Sequence, residues 1–556
     1  MTTPARAHPL PLLAAALLFA GFAAVAPRGV AAPGASGADS RKGERDFKGE
    51  DAVRKSAKKV GERFGDKIGP VIKFACENGL KEEAASTLEI LKKAAPDYKK
   101  LDELQAKVSE CGEPDAAKVE DKRKDFHGRL ASVYKQHGED LNKLALDCAK
   151  YGMYAKAFDL IAEVLDFDPD NREARRILGW VPGPDSKHKW ITKFEAQIAR
   201  DGGGLIDEEH KSSDKQEKTA HVLFANGDGE PEAWIPRKDL SQWQKGLRPY
   251  GGGWMPEDEE AKKRQTTDHP WICESEHFQV RTQVSRRAAY EFAWERLEDY
   301  YRAFLRHYFS FFEPTAGAKL LFDVSEKNRP KRKHVVILFK DRNDYLEHVK
   351  QEHMNDELLR RSDGFYSPGG QNCRACSHFF WSGATARTYE VLYHEVAHQL
   401  FEETKSWTES SGGSEGNNWV PEGTAMYSET WEKVDGKWIP GHKKDTDDMK
   451  LVKQLLERDA GSFSLARFIA LDHDEFHRDQ NQRHLNYAFA QALSYFLMEY
   501  DDGRYKEDFV AFIAAYYSGK VGPTSLYDFI QVEGEKDPSK RAAVLEKQFK
   551  EFMAEL

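Results

Sequence analysis

The sequence predicts an α+β protein in several segments, and three observations carry that prediction. Residues 46–180 are dominated by Leu, Ala, Lys and Glu and read as helix. Compact apolar or alternating runs, Phe278 to Thr282 and Val335 to Phe339, read as strands. From Met449 onward the pattern is helical again. A strand-bearing half followed by a helical half, with a cleft between them, is an α+β plan. At 556 residues the chain exceeds what one core organises, so two or three domains are expected.

In chain order, the N-terminus comes first. Arg6 precedes an apolar run from Leu10 to Ala26, and Gly29-Val30-Ala31 fits a cleavage site. Residues 1–31 are therefore expected to be a signal peptide, with an uncleaved membrane anchor as the rival reading, and 32–45 a linker. No later span is apolar over a membrane's thickness, so the mature chain is expected to be secreted or periplasmic and off the membrane. The net charge of −10 is modest and interspersed, without the concentrated basic face that nucleic acid requires. Export permits disulfides among the six cysteines, but the sequence does not choose their pairing. Cys373-Arg-Ala-Cys376 fits a local loop disulfide or free thiols.

Within the helical region two stretches repeat each other. Gly79, Ala84 and Pro96 share their spacing with Gly152, Ala157 and Pro169. The pattern resembles the tetratricopeptide unit, with Gly at the turn, Ala where helices approach and Pro closing the second helix. So few repeats predict a small helical domain that acts as a spacer, or as a surface for a protein partner. Residues 181–266 are irregular and rich in Gly, Pro and Trp. The segments around Trp190, Trp234 and Trp254 read as short strands or turns with the tryptophans as packing anchors.

The remaining segment, 267–556, carries the chemistry. Arg286 to Phe311 reads as one long helix, Asn343 to His353 as another, and Gly364 to Tyr366 and His378 to Trp381 as further strands. Thr388 to Glu402 is helical in pattern, with Leu392, Tyr393, Val396, Ala397 and Leu400 as an apolar stripe. On another face lies His394-Glu395-Val-Ala-His398. Histidines four apart project from one side of a helix, so both imidazoles reach one metal ion, while Glu395 can touch a water on that ion. A third ligand must come from elsewhere. Glu422 is the best placed, in the first turn of a second helix from Pro421 to about Lys433. The set predicts a Zn²⁺ site held by His394, His398 and Glu422.

The pair His394-Glu-Val-Ala-His398 and Trp419-Val-Pro-Glu-Gly-Thr-Ala-Met-Tyr-Ser-Glu429 resembles the gluzincin metallopeptidases, most nearly a group of secreted bacterial proteins with a peptidase-MA-like domain. The resemblance runs from about Trp271 to the C-terminus and includes Gly364-Phe-Tyr366 and Tyr487 to Leu497. It implies a zinc peptidase fold with a mixed-sheet half and a helical half. No G-x-M-E-N element precedes the metal helix, which argues against capture of a free N-terminus. Met426 stands where thermolysin-like enzymes carry an aspartate, leaving the histidine's orienting partner open. Glu429, seven residues after Glu422, is a candidate for it. The resemblance also singles out Tyr487 as stabiliser of the oxyanion, with a core aromatic as the bland reading and His484 as runner-up.

Zinc in such a set acidifies water, and Glu395 can then serve as general base. The reading is a zinc metallopeptidase acting within peptide or protein chains. Two other classes stay open: a binding or scaffold protein with a peptidase-like domain, and a zinc hydrolase of non-peptide amides.

Overall fold

The computed structural model describes residues 46–112, 119–183, 189–192, 194–196, 221–312, 333–352, 360–369, 375–404, 416–434, 436–459, 461 and 463–556. The predicted signal peptide, the linker and Cys373 lie outside these residues. The described residues form two compact units, one of 46–196 with 306–312, the other of 221–305 with those from 333 onward. Among them no helix is long and apolar enough to cross a membrane.

The first unit is helical: α1 (Phe47–Glu77), α2 (Lys81–Ala94), α3 (Leu101–Ser109), α4 (Val119–Lys150), α5 (Tyr154–Phe167) and α6 (Arg172–Ile177). The repeated sequence pattern appears as two helix pairs, α1–α2 and α4–α5. Gly79 and Gly152 occupy the intervening turns with φ of 73° and 80°, a left-handed conformation that a side chain disfavours. Ala84 and Ala157 are buried in the common core with Leu88, Leu91, Phe158 and Ile161. Cys76 and Cys111 form a disulfide within this unit.

The second unit is organised on a mixed five-stranded sheet. Its strands are β1 (Trp271–Glu274), β2 (Phe278–Thr282), β3 (His334–Phe339), β4 (Gly364–Ser367) and β5 (Cys376–Phe380), in the order β4-β5-β3-β2-β1. Strands β2, β3 and β5 run parallel, and the edge strands β1 and β4 are antiparallel to their neighbours. Five helices matter for the site: α7 (Ala386–Thr404), α8 (Trp419–Glu429), α9 (Asp447–Arg458), α10 (Gln480–Gly503) and α11 (Lys506–Tyr516). Strands before α7 and helices after it make the α+β class.

Three expectations need correction. The helix expected from Arg286 to Phe311 is broken into Arg286–Tyr290, a π-helical Glu291–Leu297, Glu298–His307 and a separate Phe309–Phe312. The wider π turn shifts the side-chain register, which an even 3.6-residue pattern does not reveal. Helix α8 starts at Trp419 and stops at Glu429, because Thr430 caps it and the chain enters the strand Glu432–Val434. Trp254 is 39 % exposed. It stands on the two-stranded hairpin Leu247–Tyr250/Gly253–Pro256, which is too small to cover both its faces. Helix α7 is enclosed on every side at its centre: Leu392 through Phe401 are all buried. Its polar residues face protein, so the periodic stripe marked only part of the packed surface.

Candidate metal centre

Helix α7 begins after Gly383, whose φ is +90°. The Thr385 hydroxyl accepts from the Thr388 N–H at 3.3 Å, and the Thr388 hydroxyl donates to the Gly383 carbonyl at 2.8 Å. These bonds satisfy groups at the helix start and set its direction. A second constraint comes from Gly364 on β4. A Cβ there would lie 2.7 Å from Val391 Cγ1 and 3.1 Å from Glu395 Cγ, so only glycine lets the edge strand approach the helix beside Glu395.

Helix α8 is held at its start by Trp419, fully buried and stacked on Phe509 and Phe512 of α11 at 5.7 and 6.3 Å. A Cβ on Gly423 would fall 2.5 Å from Ser494 Oγ and 2.6 Å from the Ala490 carbonyl. The glycine of the Pro-Glu-Gly segment therefore seats α8 against α10. That contact fixes Glu422 against Tyr487, which α10 contributes.

The three expected ligands converge. His394 Nε2 and His398 Nε2 lie 3.2 Å apart, and Glu422 Oε2 is 3.6 and 4.0 Å from them. Each residue is 1–2 % exposed. Behind them, His394 Nδ1 meets Glu429 Oε1 at 2.7 Å, which turns Nε2 toward the cluster. Arg387 in turn approaches Glu429 at 4.0 Å and bonds Asp363 at 3.1 Å.

Do these residues fit a metal? Glu395 Oε1 and Glu422 Oε2 are buried without hydrogen-bond partners. Unmatched buried carboxylate oxygens are costly, and a cation beside them would remove much of the cost. Burial holds the His398 imidazole at about 3, hence neutral and able to ligate. Burial opposes the charging of His394, but the Glu422 and Glu429 carboxylates outweigh it and raise its pKa to about 10. Burial raises Glu395 to about 8, with Glu422 and Glu429 adding to the shift and His394 opposing it. Two imidazoles and a carboxylate, with a carboxyl poised beside them, match a catalytic zinc donor set with one open position.

Tyr487 is fully buried at the same place. Its hydroxyl completes no hydrogen bond, and burial followed by the Glu422 carboxylate raises its pKa well above 10. The remaining histidines stay outside the cluster. His484 is half exposed and turns to Asp448 at 3.9 Å. His442 pairs with Glu432 at 2.7 Å. His378 is buried between the rings of Phe365 and His348, with Cys376 Sγ 3.3 Å from its Nε2. Glu276, His277 and Glu298 also form a group of metal-ligand type. There, however, the Glu298 carboxylate already accepts from Ser275 Oγ at 2.7 Å and His277 N at 2.6 Å, and contacts His277 Nδ1 at 2.8 Å. Those bonds tie the β1–β2 turn to a helix, which is a structural task.

Sequence reasoning overlooked two contributors. The Tyr366 backbone N–H faces the Glu395 carboxylate and favours its charged form. Glu402, on the same helix, was not considered, although its position seven residues after Glu395 was a usable signal. No protein-family model matches the chain, and no curated protein matches it.

Proposed function

We propose that this protein is a zinc metallopeptidase of the gluzincin type, exported through its N-terminal apolar segment and hydrolysing peptide bonds within chains. The observation that carries the reading is the convergence of His394 Nε2, His398 Nε2 and Glu422 Oε2 in a buried site. Glu395 Oε1, buried beside them without a partner, adds to it. His394, His398 and Glu422 would hold the ion. Zinc would supply Lewis acidity there, acidifying water and polarising a carbonyl.

The chain's own residues supply the rest. Glu395 accepts the proton of the attacking water and passes it to the leaving amine, the task of a carboxylate held beside the site without being one of its ligands. The Tyr487 hydroxyl, kept protonated by burial, donates a hydrogen bond to the developing oxyanion. Glu429 fixes the tautomer and angle of His394. Burial of the cluster excludes bulk water, so each of these interactions acts at low dielectric.

The test is digestion of a proteome-derived peptide library by the zinc-loaded mature chain and two variants. Glu395→Gln should keep its zinc and fold while losing about 10²–10⁴-fold in turnover. Tyr487→Phe should lose about 10²–10³-fold. A zinc-loaded wild type that cleaves no peptide refutes the reading in favour of a binding module or a hydrolase of other amides.

A further inference from the structure

Helix α7 carries a fourth polar residue on the metal side. Glu402 follows Glu395 by seven positions and His398 by four, so it projects from the same face, about 10 Å along the axis from Glu395. It is 8 % exposed. Among the described residues it makes no hydrogen bond and no ion pair. The charged group that acts on it is another carboxylate, Glu403. Glu403 itself is engaged elsewhere, with His334 Nδ1 at 2.6 Å and Gln399 Nε2 at 2.8 Å.

Two tyrosines lie along the same stretch of α7. Tyr517 stacks on Phe401, the residue before Glu402, with ring centroids 5.4 Å apart. Tyr366 pairs with Ser377 across β4 and β5, and Ser377 Oγ bonds Gln399 of α7, so the buried Tyr366 ring stands on the sheet face that packs against the helix. Nothing structural favours an acid here. The last turn of α7 holds no basic residue, and a carboxylate at a helix C-terminus opposes the helix dipole. A buried carboxyl with no counter-cation among the described residues, beside aromatic rings and on the helix face that carries the metal cluster, is complementary to a ligand cation.

We infer that Glu402, with Tyr366 and Tyr517, forms a subsite beside the metal cluster that takes the lysine or arginine side chain of a residue near the scissile bond. This rests on the peptidase reading for its substrate, but not for its test. The distance from Glu395 suits an extended basic side chain and is too long for the α-amine of the residue being cleaved.

The experiment measures binding and not turnover. Zinc-loaded Glu395→Gln protein is titrated calorimetrically with acetylated, amidated hexapeptides that carry lysine or norleucine at each position in turn. At one position lysine should bind at least ~10-fold tighter than norleucine, as for a charged hydrogen bond formed out of water. The added substitution Glu402→Gln should abolish that ratio while leaving zinc content and norleucine binding in place. Equal binding of the lysine and norleucine peptides, failure of both to bind, or a lysine preference that survives Glu402→Gln overturns the inference. So does tighter binding of an uncapped norleucine peptide than of its capped form, which would assign the cation to the terminal amine. A lysine preference in a protein that cleaves no peptide keeps the subsite and refutes the peptidase reading, so the two failures are distinguishable.

Discussion

The two sides of helix α7 make opposite use of buried polar groups. Toward the sheet, Ser377 Oγ donates to Gln399 Oε1 at 2.8 Å, and Gln399 Nε2 donates to the Val335 carbonyl at 3.1 Å and to Glu403 Oε1 at 2.8 Å. Glu403 Oε2 then meets His334 Nδ1 at 2.6 Å. Toward the cluster, Glu395 Oε1 and Glu422 Oε2 have no partner. Burial is nearly the same on both sides, so depth in the protein does not separate them. Charge does. A chain of hydrogen bonds that leaves over one ring nitrogen, His334 Nε2, stabilises the helix on its sheet, whereas the groups left over on the other side include carboxylate oxygens, which a cation would match.

That contrast can be broken from either side. On the cluster side, Glu429→Gln weakens the bond that orients His394. Zinc affinity should fall about 10–100-fold, measured by competition with a chelator of known strength, with the fold intact by circular dichroism. On the sheet side, Gln399→Leu leaves the Val335 carbonyl and the Glu403 carboxylate short of a donor. It should cost about 1–3 kcal/mol in denaturant unfolding and leave zinc stoichiometry unchanged. If Gln399→Leu lost zinc and kept its stability, the two sides would not be separable.

A smaller effect sharpens the comparison through pH. Burial, and then Glu403, raises the Glu402 pKa to about 7. The folded state therefore holds this proton more tightly than the unfolded chain does. Its stabilising contribution is complete below the ordinary carboxylate pKa of roughly 4.5 and is lost as pH rises through about 7. In metal-free protein, the unfolding midpoint of wild type should fall more between pH 5 and 8 than that of Glu402→Gln. Equal slopes would show that Glu402 titrates normally.

Much of the cluster was legible in the sequence because it depends on local spacing. His394 and His398 four apart, Glu395 beside them and Glu429 seven after Glu422 are consequences of helical periodicity. Strands β2 and β3 were legible as apolar runs. What one-dimensional patterns do not carry is who faces whom. The antiparallel edge strand β4, the seating of α8 on α10 through Gly423 and the Cys76–Cys111 disulfide all depend on contacts between distant segments. The apolar stripe marks only one side of α7, which is buried all round at its centre, because polar residues that face buried partners look the same in sequence as polar residues that face water.

The central claim is that His394 Nε2, His398 Nε2 and Glu422 Oε2, on the cluster side of α7, are metal valences. Zinc content of the purified mature chain after dialysis at neutral pH, set beside that of His398→Ala, tests it most directly. The account predicts about one zinc per wild-type chain and near-complete loss in the variant, since two remaining donors do not hold the ion. Wild-type protein that retains no zinc after being supplied with it, or a variant that retains as much as wild type, would contradict the account.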